Sequence, residues 1–147
     1  FPILIVAAFL PRPYGIQAPA DIFHFLLFLV TLLLGLAVTV SFCMLVYVIS
    51  FFTISAEGVR IVFVSSVEFF SGAIIPLPFF PEKIQMVMEL LPFASMQNAA
   101  LRIYSGSMTV PQMKKAVILQ LFWLIILIWT GRRLCARAEK RIIVQGG

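Results

Sequence analysis

The 147-residue chain is short of charge. Charged side chains make up 12% of it, against roughly 25% in an ordinary soluble domain. Hydrophobic residues make up 62%, and the mean hydropathy is +1.09. A small globule in water leaves too much surface exposed to conceal that much apolar area, so a soluble single domain is excluded. Cysteine is scarce as well. Cys43 and Cys135 lie far apart and form no CxxC pair, which argues against a disulfide framework or a zinc site. The single histidine, His24, has no second His and no carboxylate cluster beside it apart from Asp21, and reads as an interfacial packing residue. There is no GxxxxGK[ST] loop, HExxH, GxSxG or paired membrane Asp, so neither nucleotide phosphates nor hydrolytic chemistry is expected on this chain. Positive charge gathers in one short tail, which does not support nucleic-acid binding.

What the sequence has instead is long apolar runs. Residues 1–10 are apolar but fall short of the roughly 20 residues a helix needs to cross a bilayer. No basic start or small-residue cleavage site marks a signal peptide. The expectation is the end of a span, within the C-terminal part of a longer protein. Pro11, Pro13, Gly15 and Pro19 make 11–20 a loop. Asp21 is placed to cap the next helix. Residues 22–56 carry no formal charge, and 22–54 are expected to form one span. A hairpin of two short spans is the alternative, but Gly35 alone is a poor turn. After the polar break at 55–58, the next span runs from Val59 to Leu77 within a segment ending at 80.

Pro76, Pro78 and Pro81 stop a regular helix there, because proline lacks the N–H and clashes with the preceding turn. Residues 82–91 have amphipathic helical spacing, with apolar residues at 84, 87, 88, 90 and 91. Pro92 ends that helix, and 93–104 form a second short one. Two short helices between spans predict a re-entrant or interfacial hairpin over 82–108. Irregular backbone at membrane depth is tolerated only where protein or a wet cavity covers it. The last span covers 113–131 and is ended by Gly131-Arg132-Arg133. The fold class is therefore an all-α polytopic membrane bundle with an outer helical hairpin between its last two spans.

Arg132, Arg133, Arg137, Lys140 and Arg141 crowd the tail at 132–147, with Glu139 among them. Basic residues next to a span favour the cytoplasmic side and touch anionic lipid. Counting back places the 82–112 connector outside, the 55–60 turn inside and the 11–20 loop outside. Lys83, Arg102, Lys114 and Lys115 on the outer side weaken that order.

Three stretches carry a family likeness: Phe69-Phe-Ser-Gly-Ala-Ile-Ile-Pro-Leu-Pro-Phe-Phe-Pro-Glu82, Leu90-Leu-Pro-Phe93 and Arg102-Ile-Tyr-Ser-Gly106. With Phe51-Phe-Thr53 and the ending Arg141-Ile-Ile-Val-Gln-Gly-Gly147, their order resembles the permease subunits of ABC-type exporters, type-2 branch. The resemblance implies a six-span subunit in a cell-membrane dimer, homo- or heterodimeric, that passes an amphiphile, drug-like molecule, lipid or glycan outward. It implies a separate ATP-binding cassette ATPase partner, with ATP and Mg bound there and no cofactor on this chain. On the same resemblance 1–10 would close the third span, and the two spans before it, with the coupling helix, would be absent.

Breaks in a helix give it places to bend. Ser71, Gly72, Pro76, Pro78, Pro81, Leu91, Pro92 and Phe93 are therefore candidates for an outer gate. Glu68, about ten residues into a span, is a candidate pathway carboxylate, since an ionisable group at that depth costs at least ~2.5–3.5 kcal/mol and faces protein or water. Its bland alternative is a structural hydrogen bond to Ser65, Ser71 or a neighbouring helix. Glu57, Gly58 and Arg60 are candidates for ATPase contact, or else a solvated turn. Met86, Met88 and Met96 read as packing residues. No catalytic or metal-binding residue is assigned. Rival readings are a non-transporting assembly partner and a membrane-embedded lipid-modifying enzyme.

Overall fold

A computed structural model describes residues 21–145, apart from the side chains at 78 and 140–145. The expectations for 1–10, for the 11–20 loop and for the side chains of Pro78, Lys140 and Arg141 lie outside the described residues.

Helix α1, Ile22–Ser50, begins where Asp21 accepts the Ile22 N–H at 2.7 Å. Its 29 residues form one unbroken rod through Gly35, which removes the two-span alternative. Thr31, Thr39 and Ser50 donate their hydroxyls to carbonyls one turn earlier, at 2.8, 2.8 and 2.9 Å. A polar side chain satisfied on its own helix needs no water. Three successive N–H groups, from Phe51 to Thr53, then bond three residues back and tighten the exit.

Helix α2, Ala56–Phe70, starts at Ser55, whose hydroxyl accepts the Gly58 N–H. It stops seven residues before the expected end at Leu77. Gly72 turns the chain at φ +82, a conformation that suits a residue without Cβ. Pro76, Pro78 and Pro81 then keep it from resuming. At 1.5 Å per residue α2 is about 22 Å long, shorter than a hydrocarbon core of about 30 Å. A 3-10 turn, Leu77–Phe79, buries Leu77 completely beside Met88 and Ala94.

The connector holds three short helices where two are expected: α3 Glu82–Leu90, α4 Pro92–Met96 and α5 Asn98–Tyr104. Pro92 opens a helix as well as closing one, since its fixed φ suits a first turn. Gln97, at φ −130 and ψ −42, separates α4 from α5.

Helix α6, Val110–Gln145, is longer than expected. Gln112 reaches back to accept the Thr109 N–H at 2.8 Å, half of a capping box that Thr109-Val-Pro-Gln112 spells out. Gly131 does not end it. Glycine costs a helix only about 1 kcal/mol, and the Arg, Leu, Ala, Glu and Lys that follow are good helix formers. The basic segment expected as a tail is thus the last part of the same rod.

Helices α1 and α6 run parallel. Gln120 bonds to Thr31, and Phe23 and Leu27 near the start of α1 share a small cavity with Val110, Met113 and Val117. α2 returns antiparallel beside α1, with Phe42 edge-on to Phe63 at 5.7 Å. The α1–α2 turn and the arginines of α6 therefore lie at the end of the bundle opposite the start of α6. Ile22–Ser50 and Val110–Glu139 are long and apolar enough to cross a membrane, yet only 22% and 17% of their most apolar windows are buried. A soluble core helix would be mostly covered. Here Leu33 and Ile125 stay 67% and 68% exposed, an outward apolar face that calls for lipid.

Candidate functional site

Two constructions flank α1. The first is a wedge. α4 pushes between α1 and α6, and its backbone sets the fit. Gly35 faces the Met96 carbonyl so closely that a Cβ there would collide with it and would stand 3.2 Å from the Ser95 oxygen. Gln120, fully buried in the apolar run of α6, donates through Nε2 to the Thr31 carbonyl and the Ser95 carbonyl, each at 2.9 Å. One side chain thus ties three helices together. Both acceptors are carbonyls, which fixes the amide nitrogen toward them and leaves Oε1 without a donor among the described residues. Trp123 Nε1 donates to the Leu90 carbonyl at 2.8 Å. The α3–α4 corner therefore sits beside a residue thirteen positions into α6, or about 20 Å along it.

Phe93 fills the inner end of the wedge. It stacks on Phe70 at 5.7 Å and meets Phe42 edge-on at 5.4 Å. Such ring pairs add about 0.5–1.5 kcal/mol each beyond area burial. Across the connector, Arg102 Nη1 bonds Glu89 Oε1 at 2.9 Å, and Gln85 joins the same oxygen at 3.1 Å. That ion pair is less than a third exposed and pins α3 to α5.

The second construction is a groove between α1 and α2 of about 470 Å³. Phe42, Val46, Phe63 and Val67 give it apolar walls, with Met96 closing one end. Glu57 and Arg60 stand toward the other end. Arg60 donates from Nη2 to Oε1 at 2.7 Å and from Nε to Oε2 at 3.1 Å. Those hydrogen bonds, then the guanidinium charge, hold the Glu57 carboxyl below the usual carboxylate range. Glu68 also lines the groove. Its carboxylate has no hydrogen bond or ion pair among the described residues; Ser71 Oγ reaches only the Glu68 backbone oxygen, at 3.5 Å. The structural hydrogen bond considered for Glu68 is therefore not made there.

The expected gate residues divide. Pro92 is buried and Leu91 and Phe93 half-buried at the wedge, while Ser71 is buried and Gly72 half-buried at the end of α2. A Cβ on Gly72 would stand 3.2 Å from Leu77 Cγ. Pro76 and Pro81 are exposed and meet no part of the groove. Glu57, Gly58 and Arg60 lie within the first five residues of α2, with Gly58 spaced for the Ser55 cap. Arg132, Arg133 and Arg137 are exposed on α6, and the Arg133 guanidinium lies 4.0 Å over the Trp129 ring. Among the described residues no three His, Cys, Asp or Glu converge as a metal site.

Sequence reasoning passed over Gln120, Gly35, Trp123 and the Glu89–Arg102 pair. A signal existed for Gln120, a polar residue alone in an apolar run. None existed for Gly35, whose close approach depends on a segment sixty residues away.

A family model described as ABC-2 family transporter protein matches residues 2–143. No curated protein and no solved structure matches the chain.

Proposed function

The chain belongs to the ABC-2 transporter family, and from that premise we propose that it is the permease of an ATP-driven exporter. Family membership makes it the membrane component of an ABC transport system rather than a catalytic subunit. The rest is our reading. Two such subunits, identical or different, enclose the pathway, and ATP with Mg is bound and hydrolysed on a cytoplasmic ATP-binding cassette partner. The arginine-bearing end of α6 lies in the cytoplasm of a cell-membrane protein, because basic residues next to a span are retained there. Arg132, Arg133 and Arg137 then sit at the anionic headgroups, with Lys140 and Arg141 following in sequence. The α1–α2 turn shares that side, where Glu57, Gly58 and Arg60 are exposed to meet the ATPase.

On this orientation residues 82–108 re-enter from the outer face, and the membrane segments are α1, α2 and the apolar part of α6, in place of the 22–54, 59–80 and 113–131 expected from sequence. The observation that carries the reading is Gln120 holding Ser95. Short helices stay between two apolar rods only if their backbone carbonyls find donors, and a buried amide supplies one. Residues 71–93, including Pro76, Pro78 and Pro81, form the outer gate above an apolar route for an amphiphile.

The test is ATP-dependent export from vesicles holding the full-length protein with the ATPase that co-purifies with it. Gly72→Leu should reduce export at least tenfold while the complex still assembles. A left-handed φ strains any L side chain by roughly 1–2 kcal/mol and Leu77 blocks the space, so the gate cannot close as built. Normal export by that variant, or absence of any ATPase from stable complexes, would refute the reading.

A further inference from the structure

We propose that the α1–α2 groove binds amphiphilic cations, with Glu68 as the counter-charge. The proposal deepens the permease reading, on which it rests, by naming the class of ligand. The groove has a volume of about 470 Å³, close to that of a drug-sized molecule with several rings. Its walls offer the edges and faces of Phe42 and Phe63, which suit both an apolar body and a positive charge.

Charge complementarity selects the sign. The Thr39 and Ser50 hydroxyls are already committed to the Gly35 and Val46 carbonyls. Arg60 is engaged through two nitrogens by Glu57. An anion entering the groove would meet few free donors and the Glu68 carboxylate. A cation would meet that exposed carboxylate, unpaired among the described residues, beside the apolar walls of Phe63 and Val67. Charge within a span is costly unless partnered, so Glu68 is best matched by a ligand of opposite sign. Packing supports an accessible site: no residue of α2 is buried, and Cys43, on the groove wall, is free and exposed.

Cys43 makes the site measurable. The full-length protein is placed in lipid nanodiscs without ATP, and alkylation of Cys43 by a small maleimide is followed by mass spectrometry. Tetraphenylphosphonium is the cationic probe, and tetraphenylborate is its anionic match in size and shape. The cation should slow Cys43 alkylation at least about tenfold and the anion should not. Glu68→Gln should weaken the cation's apparent affinity at least about tenfold, whereas Glu68→Asp retains most of it. A thermal midpoint equal to that of the parent protein shows that the Gln variant is folded.

Equal protection by both probes would make the groove a general apolar cleft and overturn the proposal. So would full protection in Glu68→Gln. A Cys43 that resists alkylation without any probe would mean that protein covers the groove, which also overturns it. The binding measurement needs no ATP, so failed transport leaves its result intact, and failed binding leaves the permease reading to its own test.

Discussion

The two sides of α1 are built to different tolerances. On the side toward α6, backbone meets backbone at Gly35 and Met96, and a buried amide spends both its hydrogens on carbonyls. On the side toward α2, the helices leave room for a ligand, no α2 residue is buried, and a carboxylate stands without a partner among the described residues. One face fixes the position of α4, while on the other Val59, Phe63 and Val67 of α2 pack against the α1 core only in part, without full burial. In a transporter that contrast is useful, because packed interfaces resist gradual deformation while a loosely held helix can move as a body.

The comparison breaks most readily at Gly35. Gly35→Val should destabilise the fold by about 2–3 kcal/mol, since its Cβ meets a backbone oxygen that no rotamer can move. The check is a lowered thermal midpoint of the purified protein. Gln120→Leu comes next, at about 1–2 kcal/mol. It leaves the Ser95 carbonyl without its donor, while the Thr31 carbonyl keeps whatever its own helix supplies. Faster hydrogen exchange in 92–104 than in α1 would locate the loss in the wedge. Trp123→Phe removes the donor to Leu90 but keeps most of the ring, so about 1 kcal/mol is expected from the same unfolding measurement.

The groove side should respond far less. Val64→Ala, at a position 48% exposed, should stay within about 0.5 kcal/mol of the parent protein. A loss comparable to that of Gln120→Leu would show that α2 is held as firmly as α6. The smallest effect concerns pH. Arg60 depresses the Glu57 carboxyl, so this pair's contribution is present above the ordinary carboxylate range and is lost as pH falls through the lower folded-state value. The pair is solvent-exposed and its effect slight. Glu57→Gln should remove that part of the acid response and lower the midpoint at neutral pH only slightly.

Much of this was legible because lipid and water impose blunt rules. The uncharged run after Asp21, the cap itself and the break at 55 follow from hydropathy and capping. Helix ends were read less well. Gly131 with two arginines after it reads as a stop, yet a single glycine inside a run of strong helix formers is a small penalty. Phe70 ends α2 because of the left-handed turn at Gly72, a conformation that residue type permits but does not demand. The groove was half legible: Glu68 was singled out by its depth, but nothing in the linear pattern said that it would share a cavity with Phe42, Cys43 and Arg60.

The sequence by itself determined that the chain lives in a bilayer, which runs are rods and which residues interrupt them, because those properties depend on local composition and backbone chemistry. Its permease motifs are likewise contiguous and readable. Only the tertiary structure decided that α4 lodges between α1 and α6, that Gln120 secures it, and that α2 stands off to leave a groove. Those outcomes depend on complementary surfaces and hydrogen-bond partners dozens of residues apart, and a side chain's neighbours across a bundle are set by packing rather than by its place in the chain.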